Sequence, residues 1–132
     1  MRGVEASFEA RWLEASWRAS FTAQRPHDED TGMRLQGRAE RFGTLEVTRA
    51  FGSWTAGMTL LASGDRFDST NEAPASRLGG RAIVDARLKY ALDKRWTAEL
   101  SATNLGDRKY ENAVGYDAPR RGIFLNLRFE SY

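Results

Sequence analysis

The chain has 132 residues, of which 41% are hydrophobic and 29% charged, and its formal net charge is +2. It contains no cysteine, which excludes disulfides and thiolate metal sites, and no run of about 18 apolar residues that would predict a transmembrane helix. The charge is not gathered into the basic stripe that is typical of nucleic-acid binding, so we expect no nucleic-acid partner.

Seven segments alternate between apolar and polar residues, and each predicts a β-strand. In the first, Val4 and Phe8 fall on one parity and Glu5 on the other. Only the third pattern is weak, because Gly43 and Arg49 share the parity of its apolar residues. The predicted strands span residues 3–12, 15–24, 34–49, 54–63, 81–91, 96–105 and 122–130.

The connections between these strands alternate in length. The short ones are Leu13-Glu14, Ala50 to Ser53, and Leu92 to Arg95, and the long polar ones are 25–33, 64–80 and 106–121. Short turns at one edge and long loops at the other are typical of a bacterial outer-membrane β-barrel. The pattern predicts an all-β fold, an antiparallel up-and-down meander of about seven strands that forms part of a transmembrane barrel.

All four tryptophans lie beside the short turns and on the apolar parity, at Trp12, Trp17, Trp54 and Trp96. Amphipathic rings are most stable where a membrane meets water, and they form girdles around barrels there. A sandwich core would have no reason to collect the rings at one end of every hairpin. We therefore interpret them as an aromatic girdle.

Seven strands are fewer than the roughly eight of the smallest closed barrels. An open sheet in lipid would also leave backbone groups unsatisfied at its edges. The chain enters a strand directly at Met1 to Glu5, without the pattern of a signal peptide. We expect it to be the C-terminal piece of a longer protein, or a shortened reading frame.

The sequence from Ala102 to Glu111, ATNLGDRKYE, resembles the "NLFDKxYE" signature of TonB-dependent outer-membrane receptors. Gly115-Tyr116 and Pro119 to Arg121 are similar to the family's "GY…PGR", with Arg120 in place of its glycine. Arg2 to Glu5 resembles the "xGxE" start of a strand, and Phe129 or Tyr132 would be the C-terminal aromatic. The resemblance covers nearly the whole chain as the last seven of about 22 strands, with the cobalamin transporter subfamily most similar and siderophore receptors close behind.

This resemblance implies an active transporter of cobalamin or ferric siderophores in the cell outer membrane of a Gram-negative bacterium. Its partners would be the lipid bilayer, the rest of the barrel and its plug, the ligand, and the TonB complex through an N-terminal part that this chain lacks. Specificity would come from the external loops, where Phe67, Tyr110 and Tyr116 offer flat surfaces for a corrin ring or a catecholate. The resemblance also implies that Arg87, Lys89 and Glu99 line the wall against the plug.

No Ser/His/Asp or paired-carboxylate arrangement stands out, so we expect no enzymatic activity, no catalytic residue and no cofactor. Asn104, Gly106 and Asp107 are interpreted as turn formers, with Tyr110 and Tyr116 packed at the outer rim. The scattered loop acids, and the single histidine, are expected to be solvated rather than metal ligands: Asp68, Asn71, Glu72, Asp107 and His27.

Two other hypotheses remain open at this point. The chain could be a soluble β-sandwich or lipocalin-like binding module, with the apolar face as its core. It could also be a small porin-like segment that forms a closed barrel only by oligomerising. Solubility without detergent would favour the first of these alternatives.

Overall fold

The computed structural model describes residues 2–131, which form strands, loops and one short 3-10 helix, Pro74–Ser76. The strands are β1 (Arg2–Trp12), β2 (Ala15–Arg25), β3 (Arg41–Phe51), β4 (Trp54–Ser63), β5 (Arg66–Phe67), β6 (Arg77–Leu78), β7 (Arg81–Ala91), β8 (Trp96–Thr103), β9 (Glu111–Ala113), β10 (Tyr116–Asp117) and β11 (Gly122–Phe129). Within residues 2–131, no helix is long and apolar enough to cross a membrane.

Seven of these strands form one antiparallel sheet in the order β1-β2-β3-β4-β7-β8-β11. The short strands form two small hairpins, β5 with β6 and β9 with β10, inside the long connections. The predicted meander is therefore confirmed. Each strand of the sheet pairs with its sequence neighbour in the sheet, and β1 and β11 each pair on one side only.

Three predicted boundaries differ from the structure by two residues or more, and one of them is the end of the third strand, at Phe51 rather than at residue 49. The third strand begins at Arg41 rather than at residue 34, because Gly37 turns out of the sheet at φ +71° and donates its N–H to the carbonyl of Phe67 at 2.7 Å. The sixth strand ends at Thr103 rather than at residue 105, because Asn104 adopts φ +50°. The last strand ends at Phe129, and Tyr132 lies outside the described residues.

The first two short turns use residues with left-handed backbone, which matches the twist of an antiparallel pair. Leu13-Glu14 has φ values of 51° and 57°. The second turn is Gly52-Ser53, with Gly52 at φ +58°, and it is tighter than the predicted Ala50 to Ser53. It is shorter because Phe51 still pairs with Trp54 across the hairpin.

The register places the apolar parity of all seven strands on one face, which we call the apolar face. One row crosses the sheet through Phe8, Ala19, Leu45, Leu60 and Val84. Many of the larger side chains of this face are exposed, Val4 by 73% and Leu125 by 76%, whereas others in the middle of the sheet, such as Leu60 and Val84, are half-buried. Within residues 2–131 no second layer covers the face, which contradicts the hypothesis that it is the core of a soluble sandwich.

The opposite face, which we call the polar face, is crossed by a chain of ion pairs. Arg18 donates to Glu9 at 2.8 Å and lies 3.5 Å from Glu46, which also pairs with Arg87 at 3.2 Å. Arg87 reaches Glu46 by passing over Gly57, where a Cβ would stand only 2.8 Å from Arg87 Nε. The glycine therefore gives the guanidinium room to cross β4.

Aromatic rings gather at the short-turn edge of the apolar face, as the sequence predicted. They contact one another across neighbouring strands with ring centroids 4.4 to 6.2 Å apart. The three pairs are Trp12 with Trp17, Trp54 with Tyr90, and Trp96 with Phe129.

Candidate functional site

The three long connections lie together at the other edge of the sheet. We call them loop A (26–40), loop B (64–80) and loop C (104–121). Loop B has its predicted limits, whereas loops A and C are longer than the predicted 25–33 and 106–121. Within residues 2–131, no cluster of three or more histidine, aspartate or glutamate side chains could hold a metal ion.

Loops A and B are joined through Arg34. Its backbone N–H donates to Glu72 Oε1 at 2.7 Å, and its guanidinium lies 3.4 Å from Asp65 Oδ2 and 3.3 Å from Glu40 Oε1. The same guanidinium stands over the Phe67 ring, with Arg34 Cζ 5.4 Å from the ring centroid. Phe67 is thus half-buried and already in contact with loop A.

Two arginines, one in loop B and one at the start of β7, join these segments to loop C. Arg66 is only 8% exposed and donates to the backbone carbonyls of Asn112 at 2.8 Å and Glu111 at 3.3 Å. Burial, and then the positive charge of Arg81, lower the pKa of Arg66 from its usual value. Arg81 stands over the Tyr110 ring, with its Cζ 4.6 Å from the centroid, so Tyr110 also packs within the loops.

Tyr116 differs from the other two predicted ligand-binding aromatics. It lies in β10 after Gly115, which has φ +79°, and it is 71% exposed. The prediction that it packs at the rim is therefore wrong, because the tight β9–β10 hairpin projects its side chain into solvent. Among residues 2–131, the rings of Phe67, Tyr110 and Tyr116 do not stack on one another.

Asn104, in the signature-like segment, is a structural residue. It is 4% exposed, and its side-chain amide donates to the carbonyls of Arg108 at 2.8 Å and Pro119 at 3.3 Å. Its Oδ1 accepts the N–H of Arg108, and its own N–H donates to Asp85 Oδ1, both at 2.8 Å. These hydrogen bonds join the beginning of loop C to its end at Pro119, and they attach both to Asp85 in β7.

Asp107 completes this turn. Arg120 binds both of its carboxylate oxygens, at 2.9 and 2.6 Å, and the N–H of Arg121 donates to it at 3.0 Å. The hydrogen bonds from Arg120 and then from Arg121 lower the pKa of Asp107 to about 2. Asn104 and Asp107 have positive φ values, whereas Gly106 does not, so the left-handed positions of this turn are taken by the asparagine and the aspartate rather than by the glycine.

Sequence reasoning missed Arg34, Arg66 and Arg81, the arginines that hold the loops together, because their partners lie far away in the sequence. A cleft of about 510 Å³ opens beside two of them. It is lined by Gln24, Phe42, Ser63, Arg66, Arg81 and Asn112, among others. Such a cationic and polar lining suits anionic groups of a ligand, or carboxylates of another protein segment.

Comparison with known proteins assigns the family. Residues 1–105 match the model of the family described as TonB dependent receptor-like, beta-barrel. The chain belongs to this family. Its curated relatives include the vitamin B12 transporters BtuB of Vibrio vulnificus (strain CMCP6), 24% identical over 106 residues, and of Vibrio cholerae serotype O1 (strain M66-2), 28% identical over 106 residues. The matches cover 79% and 78% of this chain, but only 18% and 17% of those transporters.

Solved structures of siderophore and uptake receptors share the fold. The siderophore receptor PirA of Acinetobacter baumannii superposes with a TM-score of 0.81 at 13% identity, covering 96% of this chain and 21% of that one. The ferric yersiniabactin uptake receptor FyuA of Yersinia pestis gives 0.80 at 17% identity, covering 98% of this chain and 23% of that one. The structural match therefore includes β11 and the part of loop C after residue 105, which lie beyond the residues that match the family model.

Proposed function

We propose that this chain forms the C-terminal wall of the barrel of a TonB-dependent receptor, an active transporter for cobalamin or ferric siderophores in the outer membrane of a Gram-negative bacterium. The observation that carries the proposal is the exposed apolar face, with its aromatic rings gathered at the short-turn edge. Apolar surface of this extent is stable against hydrocarbon, and the rings are stable at the interface. The short turns would then lie on the periplasmic side.

The two unpaired edges of the sheet and its polar face would contact the other partners. The outer sides of β1 and β11 carry unpaired backbone groups, which lipid does not satisfy, so further strands of the same barrel would pair there. The polar face would meet the plug, with Arg87 and the pair of Lys89 and Glu99, 3.2 Å apart, along the wall. Contact with the TonB complex would be made by an N-terminal part outside this chain.

The ligand would be captured at the long loops, as binding residues concentrate on loops held by a rigid scaffold. Tyr116 is the candidate most open to a ligand, because Phe67 and Tyr110 already pack against Arg34 and Arg81. The named relatives support two ligand classes. The sequence relatives transport vitamin B12, and the structural neighbours include siderophore receptors.

The test uses the full-length receptor that carries this segment. Loops A, B and C are replaced together by short Gly/Ser turns, and the binding of vitamin B12 and of a ferric siderophore to whole cells is measured. We expect binding to be lost while the barrel still assembles, and Tyr116→Ala alone to weaken it. A matched control lengthens the turn Gly52-Ser53 at the opposite edge and should leave binding unchanged. Unchanged binding of both ligands after loop replacement would remove these loops from the recognition site.

A further inference from the structure

Three arginines of neighbouring strands lie on the apolar face at its long-loop edge. Arg2 in β1 stands directly opposite Arg25 in β2. Arg41 in β3 stands opposite Ala23, two residues before Arg25 and on the same face. Directly opposed side chains have Cβ atoms about 5 Å apart and diagonal neighbours about 7–8 Å, so the three guanidinium groups form one cluster, which we call the rim arginines.

The rim arginines have no counter-charge within the protein described here. Among residues 2–131, no carboxylate lies within ion-pair distance of Arg2, Arg25 or Arg41, and all three are exposed. Like charges directly opposite each other destabilise a sheet. The fourth arginine of this face, Arg49 at the short-turn edge, pairs instead with Glu14 at 2.6 Å. The rim arginines, unlike Arg49, are therefore available to an external anion.

The surroundings of the rim arginines are amphipathic. They line a shallow cleft of about 580 Å³ together with the apolar side chains Val4 and Ala23 and with His27. Glu40 also lines this cleft, but Arg34 neutralises it at 3.3 Å. Below the cluster, towards the short turns, the same face continues with exposed apolar residues such as Phe8 and Phe21. The site is therefore cationic at the long-loop edge and apolar towards the short turns.

We propose that the rim arginines bind the phosphate groups of lipid in the outer leaflet of the membrane. The inference rests on the proposed function, which turns the apolar face to lipid and the long-loop edge outward. Guanidinium groups bind phosphate oxygens in a bidentate manner, and arginine side chains at the end of a spanning segment reach towards the headgroups. A phosphorylated lipid matches both halves of the site, because its acyl chains would cover the apolar residues below.

The experiment uses the full-length receptor with lipopolysaccharide, the phosphorylated glycolipid of the Gram-negative outer leaflet, as the probe. The parent, the variant R2Q/R25Q/R41Q and the matched control R49Q are purified from outer membranes in detergent, and lipopolysaccharide is titrated onto each. We expect the triple variant to bind roughly 100-fold more weakly, from the contribution of each basic residue near an anionic surface. The control should bind as the parent does, and R2K/R25K/R41K should bind more tightly than the glutamine variant.

Two further binding measurements distinguish lipid phosphate from free inorganic phosphate as the ligand. Dephosphorylated lipopolysaccharide should bind as weakly to the parent as the intact lipid binds to the triple variant. Inorganic phosphate alone should not displace the intact lipid, and complete displacement would overturn the assignment to a lipid. Equal binding by parent and triple variant, in receptors that are assembled in the outer membrane, would overturn the inference while the proposed function stands. A receptor that is recovered without detergent and outside the membrane would overturn both.

Discussion

Lysine at Leu60 should destabilise the assembled barrel, whereas lysine at the neighbouring Thr59 should not. Leu60 lies on the apolar face six residues beyond Trp54 in β4. With a rise of about 3.3 Å per residue and a tilt of about 40°, it stands roughly 15 Å from the aromatic edge, near the middle of an apolar band about 25 Å tall. A lysine at that depth lowers the free energy of unfolding of the barrel in lipid by about 2–4 kcal/mol.

Thr59 provides the matched control, because it points to the polar face from the same strand. Its cross-strand partners are Glu46 in β3 and Asp85 in β7, so a lysine there meets negative charge. We expect the free energy of unfolding to change by no more than about 0.5 kcal/mol. The assay is folding of the full-length receptor into lipid vesicles across a urea titration, followed by the heat-modifiable migration of the folded barrel. Equal losses at the two positions would refute the assignment of the faces.

Asn104→Ala should cost about 1–2 kcal/mol locally, because it leaves two part-buried backbone carbonyls and one N–H without their partner; limited proteolysis should then cut loop C while the barrel remains intact. Gly57→Val should displace Arg87 from the polar face and lower stability by about 1 kcal/mol or more, whereas Gly79→Ala, whose Cβ would meet nothing within 4 Å, should be neutral in the same urea assay. The lowered pKa of Asp107 means that its contribution to stability is complete above its unfolded pKa of about 3.9 and is lost as the pH falls through about 2. Hydrogen exchange, corrected for intrinsic rates, should therefore show loop C opening only below about pH 4, and Asp107→Asn should abolish that dependence.

The sheet was predictable from the sequence because a strand has a period of two and one face of this sheet is apolar. That period persists in residues 34–40, where Leu35, Gly37 and Ala39 still alternate with polar residues. The third strand was therefore predicted to be too long. Loop A is set instead by contacts that are distant in the sequence, such as the bond from Gly37 to Phe67 and the ion pair of Arg34 with Asp65.

The candidate site was less predictable than the sheet. The aromatic residues of the loops could be found by their type, but whether each ring is free depends on its partner. Arg81 reaches Tyr110 only when β7 and loop C are side by side, whereas the β9–β10 hairpin leaves Tyr116 exposed. The rim arginines were hidden for a related reason, since Arg41 stood inside the strand predicted at 34–49 and its place at the edge required the true boundary.

The orientation of the sheet in the membrane is tested most directly by labelling single cysteines in the full-length receptor on living cells. Tyr116→Cys in loop C and Ser53→Cys in a short turn are treated with a membrane-impermeant maleimide, before and after the outer membrane is permeabilised. We predict that the cysteine at position 116 reacts on intact cells and that the cysteine at position 53 reacts only after permeabilisation. Labelling of position 53 on intact cells, or equal labelling of both, would contradict the account.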